Sequence, residues 1–260
     1  SRRASFICDL NGRITTYQLH ADLGEQILLF HNPSMSETLR KKLTSGIPWN
    51  EKIDISTGDG AVKRILIYGK QPERILIKLG INPNEFHTDN WNEFLESMIA
   101  EIKTNNDFSI YEMLVPTRKY SEITNLLQSN GAEIGEVNSA VAMLSIAGMI
   151  DYSVNISGHI PFNLRLDRLV DLKKGCYPGQ EIHARMESRD GIKKTTSTFK
   201  TTTQLPLGKS KSTNKEHLEI ISSQQFGEYW INLLIHPKGI SLNSEILVNT
   251  PEGEITLTSV

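Results

Sequence analysis

Lys173-Lys174-Gly175-Cys176-Tyr177-Pro178-Gly179-Gln180-Glu181, running on into Ile182-His183-Ala184-Arg185, is the stretch on which the reading of this chain turns. It sets two lysines, a cysteine, two glycines and a proline in one short loop, then changes to a helix-like run. The glycines permit backbone angles that other residues avoid, so the chain can turn sharply there and approach a ligand closely. Pro178 suits the first turn of a helix, where a missing N–H costs little. Cys176 is then expected just before a helix N-terminus and beside two cations, both of which favour a thiolate over a thiol. A cysteine is more often an inert small hydrophobe. The polar, loop-forming neighbours of Cys176 argue against that reading here.

Outward from this loop, residues 4–10 and 13–21 are β-prone runs joined by Asn11-Gly12, a dipeptide that predicts a type I′ hairpin. Residues 26–31 read as a third strand, and Ser34-Met35-Ser36-Glu37 has the spacing of a capping box before a helix over 38–44. Residues 61–68 form another strand-like run, and 71–80 a short helix closed by glycine. Asp89 is placed to cap a helix over 91–103, where Trp91, Phe94, Leu95, Met98, Ile99 and Ile102 recur at helical spacing. A strand over 108–115 ends at Pro116, an amphipathic helix follows over 118–130, and 137–150 predicts a buried helix. From residue 195 the composition shifts to Thr, Ser and Lys, as in a linker over 195–215. Short β-prone runs at 218–222, 229–235 and 245–248 follow, with turns at 237–239 and 251–253, as in a small antiparallel barrel or sandwich.

The string Lys-Gly-Cys-Tyr-x-Gly-Gln-Glu, here Lys174 to Glu181 with Pro178 at the variable place and Ala184-Arg185 after it, resembles the signature of the YgfZ family of folate-binding proteins. That family includes mitochondrial iron–sulfur assembly factors and is related to the glycine-cleavage T-protein, an aminomethyltransferase. The resemblance implies an α+β fold: ferredoxin-like halves of a T-protein-like folate-binding region over residues 1–194, then a small antiparallel β-barrel domain over 195–260. It implies a tetrahydrofolate-binding protein that assists assembly or repair of iron–sulfur clusters and so supports cluster-dependent enzymes, including those that modify tRNA. The rival reading is a folate-dependent aminomethyltransferase. On the family pattern Cys176 is the reactive thiol and Lys174 the cation beside it. Gly175, Tyr177, Gly179, Gln180, Glu181 and Arg185 build the loop and helix start, while Asn163, Asp167 and Arg13 are the candidate folate contacts. At the hairpin the family carries Lys-Gly-Arg, of which Gly12 and Arg13 match and Asn11 replaces the lysine. The resemblance also implies a segment before this hairpin, with a Gln- and Asp-containing motif, that the sequence from Ser1 does not include. Expected partners are folate and iron–sulfur client or assembly proteins. The expected location is bacterial cytoplasm or, in a eukaryote, the mitochondrial matrix.

Composition bounds these readings. With 260 residues, 38% of them hydrophobic and 22% charged, the chain can bury a substantial core. No run of about 18 apolar residues predicts a membrane span, and a net charge of −2 argues against direct nucleic-acid binding. Between residues 161 and 194, however, eight Lys or Arg face five acids, a local excess that suits an anionic ligand. Cys8 and Cys176 lie far apart in unrelated contexts, which is no disulfide framework. The seven histidines form no ligand spacing, so no metal site is expected. Two cysteines alone cannot hold an iron–sulfur cluster, so any cluster role is expected to act in trans or between subunits.

Overall fold

A computed structural model describes residues 1–87, 90–102, 104, 109–188, 191–240, 246–250 and 253–260. The chain opens with a hairpin of β1 (Arg2–Cys8) and β2 (Ile14–Asp22), and β3 (Ile27–His31) completes a sheet in the order β1-β2-β3. The turn differs from the type I′ expectation. Gly12 N–H bonds Asp9 O at 3.0 Å, Asp9 N–H bonds Arg13 O at 2.9 Å, and within the turn only Gly12 has positive φ, +70°. This is a three-residue connection ending in a glycine bulge. Asp9 favours it, because its Oδ1 accepts from the N–H groups of Asn11 and Arg13, each at 2.9 Å. A 3-10 turn (Pro33–Met35) then leads into α1 (Ser36–Ser45). Asn32 caps the 3-10 turn, its side chain accepting from Ser34 N–H at 2.9 Å, and the Ser34 hydroxyl donates back to Asn32 and does not form the predicted box.

Two compact units divide the chain. The first comprises Ser1–Arg3, Leu19–Leu29 and Arg40–Glu136. It contains β4 (Val62–Ile67), α2 (Glu73–Lys78), β5 (Asn92–Phe94), β6 (Ser97–Ile102), β7 (Ile110–Pro116) and α3 (Tyr120–Ser129). The sheet is antiparallel in the order β4-β7-β6-β5. Ile67, Leu76, Ile99, Met113, Val115 and Ile123 form its core. After β4 the chain passes one helix and then a three-strand meander, where a ferredoxin-like half would place a second helix before its last strand.

The helix expected over 91–103 is instead the β5–β6 hairpin, with Asn92 opposite Ile99 and Phe94 opposite Ser97. Its two-residue turn is Leu95-Glu96, both at positive φ (48° and 62°), a conformation usually given to Asn-Gly. The proposed cap Asp89, like Lys103 and Phe108 at the ends of predicted elements, lies outside the described residues. On β7, Glu112 is fully buried and paired with both Arg2, at 2.5 Å, and Arg64. Burial pushes its carboxyl up, but the two guanidiniums prevail and hold it below the usual range.

The second unit comprises Ala4–Gln18, Phe30–Leu39 and Val137–Val260. Here α4 (Val137–Ile146), shorter than expected, packs against the later sheet. Two 3-10 turns (Pro161–Leu164 and Asp167–Leu169) precede α5 (Gln180–Ser188). Six strands follow: β8 (Lys194–Thr201), β9 (Gly208–Lys211), β10 (His217–Phe226), β11 (Tyr229–Pro237), β12 (Ile246–Thr250) and β13 (Gly253–Ser259). Their order is β12-β13-β8-β11-β10-β9, and a bridge between Ser212 and Val248 brings the two edges together, so the sheet curls toward a barrel. Phe199, Leu205, Leu218, Ile220, Leu234, Val248 and Leu257 fill it. The Thr-rich start of the predicted linker is thus the central strand β8. Threonine's β-branched side chain fits a pleated surface, and Thr196 and Thr201 are buried there. Of the predicted turn 251–253, residues 251 and 252 lie outside the described residues.

Candidate functional site

The loop of residues 173–181 is held against the β1–β2 hairpin by two glycines. Gly179 is buried at φ +84°, and a Cβ there would stand 2.4 Å from Gly12 Cα, 2.6 Å from Gly12 N and 2.7 Å from Asp9 O. A Cβ on Gly12 would in turn meet His183 Nε2 at 3.0 Å. Only glycine at both places lets the two backbones touch. Pro178 lies in the turn before α5 and not in the helix's first turn. Gly179 supplies the first helical acceptor, bonding His183 N–H at 3.1 Å.

His183 completes the contact. It is fully buried, and its Nε2 lies 2.9 Å from Gly12 O. A carbonyl only accepts, so Nε2 carries a proton and donates it, while Nδ1 faces the Tyr177 hydroxyl 3.4 Å away. Phe162 and Tyr177 flank the imidazole with ring centroids at 5.7 and 5.8 Å. The Lys174 ammonium sits over the Tyr177 ring, 5.2 Å from its centroid. Gln180 Nε2 donates to Leu172 O at 2.9 Å and closes the base of the loop, whose start is fixed by Asp171 Oδ1 on Lys173 N–H at 2.8 Å.

Cys176 is exposed on this loop, and Gly175 beside it has φ +101° with open space around it. Cys8 is buried. Burial and the Asp9 carboxylate push its thiol up to about 12, although Lys174 opposes them. Burial likewise raises the Tyr177 phenol, with smaller contributions from Cys8, Asp171 and Glu187. Glu181 and Arg185 pair one helical turn apart on an exposed face, where such a pair contributes little to stability.

The candidate folate contacts divide. Arg13 NH1 donates to Gly158 O at 2.6 Å, which puts it at the same hairpin end. Beside it, His159 lies 3.8 Å from Glu219. Burial, aided by Arg13 and Lys194 and opposed by Glu219, holds this imidazole below its usual range. Asn163 follows Phe162 and is tied by its carbonyl to Thr196 Oγ1 at 2.6 Å. Asp167 is exposed. Sequence reasoning missed His183, Phe162 and Asp9. The first stood in plain view at the fourth position of α5, but nothing in its neighbours announces burial. Among the described residues no group of three or more His, Cys, Asp or Glu is placed to hold a metal. No described helix is long and apolar enough to cross a membrane.

No protein-family model matches the chain, and no curated protein matches it significantly. Among solved structures it is similar to the glycine cleavage system aminomethyltransferase T from Bartonella henselae. The TM-score is 0.71 at 14% identity, over 100% of this chain and 74% of that one. At that identity the likeness carries the fold alone. The fold is T-protein-like.

Proposed function

We propose that the chain binds a reduced folate and assists assembly or repair of iron–sulfur clusters, supporting cluster-dependent enzymes that include tRNA-modifying ones. One observation carries the reading: an exposed cysteine loop fastened through Gly179 and Gly12 to the hairpin that bears Arg13, on a T-protein-like fold. The donor set suits a folate. Arg13 commits NH1 to Gly158 and keeps other N–H groups for a carboxylate of the glutamate tail. Asn163 and the exposed Asp167 offer amide and carboxylate partners for a heterocycle. Residues 1–194 carry the folate region in this reading and residues 195–260 a β-domain. Partners are folate and iron–sulfur client or assembly proteins, and the setting is bacterial cytoplasm or mitochondrial matrix.

Calorimetry with tetrahydrofolate tests the folate claim. Saturable binding that weakens as salt rises is expected, since the tail is anionic. No heat and no thermal shift would remove it. The cluster claim is tested by rescue of cluster-dependent enzymes in cells lacking the protein: Cys176→Ser should fail, and full rescue would refute a role for the thiol. A second reading, a folate-dependent aminomethyltransferase, is favoured by the activity named for the structural neighbour. Folate-dependent ammonia release from an aminomethylated lipoyl carrier at enzymatic rates would establish it instead.

A further inference from the structure

Strand β2 is stitched to the loop that follows α4 at two points. Near its start, Gly158 N–H bonds Ile14 O at 2.8 Å and Ile14 N–H bonds His159 O at 2.9 Å. Further along, the Tyr17 hydroxyl donates to Ile150 O at 3.0 Å. Between these points lies a crevice of about 10 Å³, lined by Thr16, Asn32, Tyr152, Asn155 and Ser157 among others. Thr16 is 1% exposed, and its hydroxyl finds no partner among the described residues. An unpaired buried hydroxyl is costly, and a native fold rarely leaves one so. The volume is about that of a single water site, and the polar lining supplies the two to four partners that a buried water needs. Asn32 and Asn155 fix the lining, because their Oδ1 atoms accept from Ser34 N–H at 2.9 Å and Ser157 N–H at 3.0 Å. The Asn32 amide also donates to Ser153 O, so one of its two N–H groups and the Asn155 amide remain to complete the shell.

We propose that this crevice is a binding site for one internal water molecule, which bonds Thr16 Oγ1 and bridges β2 to residues 152–157. The bridge continues the seam that ends at Gly158, whose carbonyl holds Arg13, so the water braces the loop on which Arg13 rests. A high-resolution crystal structure of the whole chain, solved for the wild type and for Thr16→Val, tests this beside thermal unfolding of both. Density for a water within hydrogen-bond reach of Thr16 Oγ1 is expected in the wild type. Thr16→Val, which keeps the shape and removes the hydroxyl, should then strand the water's partners and lower Tm by about 2–6 °C. A dry crevice in the wild type overturns the proposal. So does an unchanged or higher Tm for Thr16→Val, because deleting a truly unpaired hydroxyl relieves a cost.

Discussion

Replacing Gly179 by alanine places one methyl group where the structure has backbone. Its Cβ would lie 2.4 Å from Gly12 Cα and 2.7 Å from Asp9 O, so the hairpin and the loop must part by about 1 Å to restore ordinary contact. Overpacking of this kind costs about 1–3 kcal/mol. Holding an L-residue at φ +84° adds about 1–2 kcal/mol, and the stiffer unfolded chain returns roughly 0.4–1. The net loss is about 2–4 kcal/mol, a large share of the roughly 5–15 that holds a domain together. Gly175→Ala is the control. Its φ of +101° is also positive, yet its Cβ meets nothing within 4 Å, so only the conformational part of the cost remains. Urea unfolding of both variants, followed by tryptophan fluorescence, should show Gly179→Ala losing at least about 1 kcal/mol more. Equal losses would mean that the two backbones do not touch, and the account of the loop's attachment would fail.

Other consequences are open to measurement. His183→Phe keeps an aromatic ring but leaves Gly12 O without its donor, and should cost about 1–3 kcal/mol in the same urea assay. Glu112→Gln removes the carboxylate that two arginines share and should cost about 3–5 kcal/mol at neutral pH. Glu112's pKa is depressed on folding, so its contribution is complete above the unfolded value of 4.5 and fades as pH falls toward the folded one. The gap between wild type and Glu112→Gln should therefore close in acid, as urea midpoints against pH would show. In the folded protein, iodoacetamide at neutral pH should modify exposed Cys176 and spare Cys8 until urea unfolds the chain, as read by mass spectrometry of the peptides.

The parts legible in the sequence are those whose signal is local. Alternation and β-branching announced most strands, and the abrupt change at Gln180 announced α5. The two misreadings differ in cause. Trp91, Phe94, Leu95, Met98 and Ile99 fit helical spacing as well as they fit two short strands, and the deciding turn is Leu95-Glu96, which carries no turn signature. Both residues are exposed, and Glu96 pairs with Arg118 and Lys119 beyond the end of β7, a long-range contact that no local rule foresees. The Thr-rich stretch after residue 194 was misread for the opposite reason. Its composition looks like solvent-exposed linker, but β11 and β13 flank it and bury Thr196 and Thr201.

The site shows the same division between what is local and what is not. The motif string located the loop, and glycine chemistry explained why the chain can turn there. Only part of the reason why Gly179 must be glycine is written in the loop, namely its φ of +84°. The other part lies 167 residues earlier, at Gly12, where the backbone comes within 2.4 Å of the place a methyl would occupy. The hairpin dipeptide Asn11-Gly12 has an equally good local reason for its glycine, the bulge at φ +70°, and that reason conceals the second one, the buried face of His183. Each glycine therefore answers two constraints, one from its own turn and one from the other segment. A change that satisfies only the local constraint, such as asparagine at position 12, would keep the turn and still push His183 from Gly12 O. That outcome separates a site built by contact from two turns that merely lie side by side.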